Sequence, residues 1–128
     1  MAGLKENSIG LLASKAGAEL QNGDGKTICY TVPPGKKAII THCVVREPSA
    51  SLADGTDFDF GDGANADTWK NTVDLSSMTA TTDYMVVEGN NAKYTIFDAG
   101  DEFGVKPVTG ATADATGTID VFGYLYDA

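Results

Sequence analysis

The strongest constraint on the fold is a period of two in side-chain polarity, which runs through short segments from residue 27 to the C-terminus. In the segment TDFDFG, for example, Asp57 and Asp59 alternate with two phenylalanines. A period of two puts alternate side chains on opposite faces of a β-strand, whereas a helix needs a period of about 3.6. Because turn residues separate the segments, the pattern predicts about eight strands, near residues 27–32, 36–47, 56–61, 68–77, 83–89, 92–100, 102–108 and 118–128.

Eight short strands with no convincing helix between them predict an all-β protein, a two-sheet antiparallel β-sandwich with a jelly-roll-like order of strands. An immunoglobulin-like sandwich is the alternative, but Trp69 follows both Cys29 and Cys43, which breaks the Cys-Trp-Cys order of that fold. We expect the sandwich to span residues 27–128, because the turn cluster QNGDGK separates it from the preceding segment.

Residues 1–26 are predicted to form an N-terminal arm or a short helix. Apolar residues recur there at roughly helical spacing, although Gly10 and Gly17 weaken a helix. Further along the chain, the turn Gly89-Asn90-Asn91 predicts a hairpin between the strands near 83–89 and 92–100.

Two of the predicted strands are apolar on both faces, those near 36–47 and 118–128. In the last strand, Ile119, Val121 and Leu125 share one face, and Phe122, Tyr124 and Tyr126 share the other. A sandwich strand normally has one face in water, so either the N-terminal arm or another subunit must cover the second face. We predict a homo-oligomer interface formed by Phe122, Tyr124 and Tyr126, with His42 as a further candidate.

The charge of the chain argues against several classes of partner. The formal net charge is −9, and the nine basic residues are scattered along the sequence. We therefore expect neither direct nucleic-acid binding nor attraction to an anionic membrane surface. The sequence has no signal-peptide pattern and no apolar run of membrane-spanning length, so we expect a soluble protein made in a cytoplasm.

One acidic stretch, DGTDFDFGDGANAD, raises the question of a metal site. An EF-hand frame that starts at Asp57 fails, because its third ligand position is Gly61. A looser calcium site and a set of solvated carboxylates both stay open, and the candidate ligands are Asp54, Asp57, Asp59 and Asp62. Cys29, His42 and Cys43 have no zinc-ligand spacing, so we expect two reduced thiols and no cofactor.

No catalytic residues are predicted, because the sequence offers no nucleophile motif and no combination of nucleophile, base and orienting group. Trp69, Tyr84 and Tyr94 could form a sugar-stacking platform. However, Trp69 shares its face of the predicted strand with Val73 and Leu75, which favours a place in the core.

Two stretches, YTVPPGKKAIITHCVVREPSASLADGTDFDFG and ATGTIDVFGYLYDA, resemble small proteins encoded in the structural-gene regions of tailed bacteriophages and prophages. The shared features are a Val-Pro-x-Gly-Lys turn, a strand that ends in Val-Val-Arg, a Ser-Ala-Ser-Leu segment and an aspartate-Phe-Gly strand. This resemblance covers residues 29–61 and 116–126 best.

The resemblance implies a capsid decoration (cement) protein of jelly-roll type, a non-enzymatic virion protein that sits on the capsid surface after synthesis in the host cytoplasm. Such proteins commonly form trimers that clamp the major capsid protein. The N-terminal arm would then help attachment, with candidate residues Leu4, Ile9, Leu11 and Leu12. The alternative function is a carbohydrate-binding or receptor-binding module in a tail or head fibre.

Overall fold

The computed structural model describes residues 8–90 and 96–128, which form nine β-strands and no helix. The all-β prediction is confirmed. Within the described ranges, no helix is long and apolar enough to cross a membrane. The strands are β1 (Gly10–Glu19), β2 (Thr27–Thr31), β3 (Lys36–Arg46), β4 (Asp57–Gly61), β5 (Lys70–Val73), β6 (Tyr84–Glu88), β7 (Ile96–Phe97), β8 (Glu102–Thr109) and β9 (Thr116–Asp127).

These strands form two antiparallel sheets that pack into a sandwich. The first sheet has the order β1-β9-β3-β6, and the short β7 also pairs with β3. The second sheet has the order β2-β8-β4-β5. The predicted two-sheet antiparallel sandwich is therefore confirmed.

The core between the two sheets contains a cluster of aromatic rings, Phe60, Trp69, Phe97 and Phe103. The indole of Trp69 meets the ring of Phe103 edge to face, with ring centroids 5.1 Å apart. Its Nε1–H donates a 3.0 Å hydrogen bond to the main-chain carbonyl of Ile40, which ties the second sheet to the first. Trp69, Val73 and Leu75 are all buried, so the prediction that they share the core is confirmed.

The prediction for residues 1–26 left an arm and a short helix open, and residues 10–19 form the edge strand β1 rather than a helix. β1 pairs with β9, and the alternative of a short helix is wrong. A helix would have to include two glycines, whereas a strand satisfies the main-chain groups on the free side of β9. The pairing of β1 with β9 has two register shifts, and Gly17 has a positive φ of 72°. β1 is therefore an irregular strand, which is why its apolar residues do not follow a period of two.

The predicted hairpin around Gly89 is wrong for the residues that the structure describes. β6 pairs with residues 42–46 of β3, and β7 pairs with residues 38–39 of the same strand. β6 and β7 pair with successive parts of the same edge of the long strand β3, and therefore they do not pair with each other. Residues 91–95, which include Tyr94 and part of the predicted turn, lie outside the described ranges.

Candidate functional site

The last strand is apolar on both of its faces, as the sequence predicts. Ile119 and Val121 point into the core and are fully buried. Phe122, Tyr124 and Tyr126 alternate with the core residues and are half-buried on the opposite side. They lie on what we call the outer face, the side of the first sheet that points away from the core.

A bulge in β3 brings His42 to the outer face. The register of β3 against β9 shifts between Ile40 and His42, so that Ile40 and Cys43 both point inward although they are three residues apart. His42 pairs with Phe122, and the two rings stack with centroids 4.7 Å apart. At the bulge, the Thr41 hydroxyl donates a 3.2 Å hydrogen bond to the carbonyl of Phe122. The structure therefore brings all four predicted interface residues onto one surface.

Three exposed apolar residues extend this surface at its β6 and β7 side: Tyr84 is 69% exposed, Val86 51% and Ile96 49%. Val86 pairs with Val44 of β3, and Ile96 pairs with Ile39. Sequence reasoning did not identify Val86 or Ile96 as site residues, because it assigned their strands to a hairpin. The available signal was that YMVVE, like β9, is apolar at both odd and even positions.

The predicted attachment residues meet the same surface from the β1 side. Leu11 is 52% exposed and pairs with Phe122, and Ile9 is also exposed. Leu12 is half-buried and packs against the core, so its contacts are those of a structural residue. Leu4 lies outside the described ranges. The outer face and the exposed start of β1 thus form an apolar area, within which Glu88, opposite His42, and Asp120, opposite Val44, are charged.

Ion pairs border this apolar area at two ends. At one end, Nε of Arg46 lies 2.8 Å from Oδ2 of Asp120, and Arg46 also pairs with Glu47. The hydrogen bond from Arg46 lowers the pKa of the Asp120 carboxyl from its ordinary value. At the other end, Lys36 pairs with Asp127 and Lys37 pairs with Asp98. An apolar centre with a charged rim is the common composition of protein interfaces.

The outer side of the second sheet is more polar, because Asp57 and Asp59 of β4 lie there beside Lys106 of β8, although Ile28 and Val108 of this sheet are also exposed. Burial raises the pKa of Asp59, and the neighbouring charges of Asp57 and Asp67 raise it further. The Thr72 main-chain N–H donates a 3.0 Å hydrogen bond to Asp59.

The other two calcium candidates, Asp54 and Asp62, each accept a hydrogen bond from elsewhere in the chain. Asp54 accepts a hydrogen bond from the Thr112 hydroxyl, and Asp62 accepts one from the Glu102 main-chain N–H. In residues 8–90 and 96–128, no three His, Cys, Asp or Glu side chains group closely enough to hold a metal ion.

Cys29 and Cys43 are free, buried thiols, one on each sheet. Burial raises the pKa of Cys29 to about 12 and also raises that of Cys43 well above its ordinary value. Neither thiol has the exposure or the low pKa of a reactive cysteine. Trp69 is likewise buried, so it cannot stack on a sugar from solution.

No protein-family model and no curated protein sequence matches this chain. Its fold is similar to that of a chain in the solved cyanophage Pam1 capsid asymmetric unit, with a TM-score of 0.55 and 16% sequence identity. The similarity covers 100% of this chain and 90% of that chain. The similarity extends over almost the whole length of both chains. Because the sequence identity is low, it shows a shared fold and nothing more.

Proposed function

We propose that this chain is a structural virion protein that decorates and stabilises a phage capsid by binding its outer surface. The observation that carries the proposal is the full-length similarity of fold to a chain of a phage capsid asymmetric unit. The proposed partner is the major capsid protein, and the proposed location is the capsid surface of the virion after synthesis in the host cytoplasm. The role is one of binding, not of catalysis.

We further propose that the chain acts as a homotrimer whose subunits contact one another through the outer face. Phe122, Tyr124 and Tyr126 form the centre of this contact, and His42 stacks against it. These side chains are apolar and only half-buried in a single subunit. Burying them against another subunit removes apolar area from water, which favours association by roughly 25 cal/mol per Å² before the costs of association.

Ile9 and Leu11 are the proposed attachment residues that the structure describes. Both are exposed at the start of β1, beside the outer face. The polar side of the second sheet would then face solvent, which agrees with its row of carboxylates. Binding through many copies on one shell would add up by avidity, so a weak contact per subunit suffices.

The test combines the native mass from light scattering with co-sedimentation on shells built from the major capsid protein of the same phage. We expect a trimer that co-sediments with shells. Tyr124→Asp should lower the native mass, whereas Val108→Asp should not, because Val108 is an exposed apolar residue on the second sheet. A wild-type monomer that ignores the shells would overturn the proposal, and a glycan array would then test the sugar-binding alternative.

Attachment to the shell is tested with point variants rather than with a deletion of residues 1–20. Such a deletion would remove β1, together with the fully buried Ala18 and Leu20, and would disrupt the fold. Ile9→Ser combined with Leu11→Ser should instead weaken shell binding while the circular dichroism spectrum stays unchanged. Shell binding equal to that of the wild type would remove these two residues from the proposed attachment surface.

A further inference from the structure

The two ends of the edge strand β1 differ in burial. None of residues 10–17 is fully buried, and residues 14–17 are all exposed. Ala18 near the end of the strand, and Leu20 directly after it, are fully buried in the core. Within residues 10–17, Leu12 alone packs against the core. Because a segment opens most easily where few apolar contacts are buried, the first part of β1 should be locally less stable than its end.

The end of β1 is held by main-chain hydrogen bonds around Leu20. The Leu20 N–H donates a 3.0 Å hydrogen bond to the Ala115 carbonyl, and the Ala111 N–H donates a 3.0 Å hydrogen bond to the Leu20 carbonyl. A Cβ on Gly117 would lie only 3.1 Å from the Leu20 side chain, so β9 packs closely on this residue. Residues 18–20 are thus anchored between β9 and the segment that joins it to β8.

Gly17 separates the two parts of β1. Its φ is positive, 72°, and within the described ranges no atom beyond its chain neighbours lies within 4 Å of the place that a Cβ would take. The register of β1 against β9 also shifts between Lys15 and Ala18. Residues 8–16, which we call the strap, therefore join the anchored part through a glycine that can change its main-chain angles without a steric clash.

Few side chains hold the strap against β9. The Ser14 hydroxyl donates a 2.5 Å hydrogen bond to Oδ1 of Asp120 at the surface of the protein. Leu11 lies opposite Phe122 and is 52% exposed. Besides these contacts and that of Leu12, the strap depends on the main-chain hydrogen bonds of a ladder that has two register shifts.

We propose that the strap detaches from β9 as a unit about Gly17, while residues 18–20 stay anchored and the sandwich stays folded. Detachment leaves the main-chain groups on this edge of β9, from Ile119 to Gly123, without their partners in β1. A strand edge with free N–H and C=O groups pairs readily with an added strand. The strap is therefore a cover that keeps this edge closed. The inference concerns a single subunit and does not depend on the proposed decoration of a capsid.

Trypsin cleavage after Lys15, followed by mass spectrometry, reports detachment, because a protease cuts an opened segment and Lys15 lies inside the strap. We expect cleavage after Lys15 in the native protein, while Arg46 in the inner strand β3 stays uncut. Trp69→Phe, which weakens the core, should speed cleavage after Arg46 and leave the rate after Lys15 unchanged. Equal acceleration at both sites, or a native Lys15 that is not cut, would mean that the strap opens only when the whole protein unfolds, and would overturn the inference.

A disulfide lock provides a matched control within one variant. Ser14 and Asp120 lie directly opposite each other, so cysteines at these two positions have α-carbons within disulfide reach. When Ser14→Cys is combined with Asp120→Cys, the oxidised protein should be cleaved after Lys15 about tenfold more slowly than the reduced protein. Equal rates would show that trypsin reaches Lys15 without detachment, and this result would also overturn the inference.

Hydrogen exchange followed by NMR tests the hinge. The strap amides that bond to β9 should exchange about tenfold or more faster than the Leu20 amide, which bonds to Ala115. Gly17→Ala strains the attached form, because a φ of 72° suits glycine, and should speed exchange in the strap about fivefold. Gly25→Ala is the control, since its Cβ has open space, and should leave this exchange unchanged. Equal exchange of the strap and Leu20, or no effect of Gly17→Ala, would contradict a hinge at this position.

Discussion

The imidazole of His42 lies parallel to the phenyl ring of Phe122, with the ring centroids 4.7 Å apart and the planes 3° from parallel. This stack exists because the β3 bulge turns His42 outward while its neighbour Cys43 points into the core. The same bulge explains why a histidine and two cysteines that are close in sequence form no common site. The imidazole belongs to the outer face, and the thiols belong to the interior.

Phe122 and Val121 are adjacent in sequence but lie on opposite faces of β9, so their variants should have different effects. Phe122→Ala should abolish association through the outer face and change the free energy of unfolding by only about 1 kcal/mol. Val121→Ala should cost about 2–3 kcal/mol through the cavity it leaves, with association unchanged where the protein folds. Urea unfolding together with native mass separates the two effects. Loss of association by Val121→Ala alone would contradict the assignment of the faces.

Trp69→Phe should lower the free energy of unfolding by about 2–4 kcal/mol. The variant loses the hydrogen bond from Nε1 to the Ile40 carbonyl and leaves a cavity beside Phe103. Tyr84→Phe is the control, because Tyr84 is exposed and should change stability by less than about 0.5 kcal/mol. Chemical denaturation monitored by circular dichroism serves for both proteins. A Trp69→Phe variant as stable as the control would mean that this hydrogen bond contributes nothing.

Gly123→Ala should destabilise the protein by about 3 kcal/mol or more. A Cβ at this position would collide with the carbonyl oxygen of Ile39 and would lie 2.9 Å from Cα of Ile40, and main-chain atoms cannot move aside cheaply. Gly25→Ala has open space around its Cβ and should fold normally. The thermal midpoints of the two variants test this difference. A normally stable Gly123→Ala would show that β3 and β9 pair less closely at this point.

The ion pair between Arg46 and Asp120 should make stability depend on pH below about 5. Arg46 lowers the pKa of Asp120 in the folded state, so the stabilisation is present above the unfolded-state pKa of about 4. It is lost as the pH falls through the lower folded-state value. Arg46 is partly exposed, so Asp120→Asn should cost about 0.5–1 kcal/mol at pH 7 and nothing at low pH. Urea unfolding of the wild type and of Asp120→Asn at pH 7 and at pH 2 measures this cost. A difference in stability between the two proteins that persists at pH 2 would contradict the prediction.

The two thiols should be unreactive in the folded protein. Burial raises the pKa of Cys29 to about 12 and raises that of Cys43, so neither should react with Ellman's reagent at pH 8 until urea is added. The unfolded chain ionises above its ordinary thiol value of 9.0 while the folded chain does not, so stability should fall as the pH rises past that value. Replacing both cysteines by alanine should flatten this decline. Rapid labelling of the native protein would show that the interior opens.

Local patterns in the sequence were enough to place most strands from residue 27 onward and to choose the core faces of β9 and of residues 69–75. Trp69, Val73 and Leu75 share the core because alternation along one strand needs no knowledge of the strand's partners. The apolar character of both faces of β9 was visible for the same reason. Alternation therefore also predicted where the outer face would lie, with Phe122, Tyr124 and Tyr126 on it.

The sequence by itself thus determined the class of fold, the core faces of β9 and of residues 69–75, and the presence of an apolar surface on β9 that faces away from the core. Only the tertiary structure decided that residues 10–19 pair with β9, that β6 and β7 share the edge of β3, and that Leu11 meets Phe122. The physical reason is the difference between local and long-range interactions along the chain. The face of a side chain follows from its immediate neighbours, whereas pairing depends on which distant strand still has unpaired N–H and C=O groups at its edge.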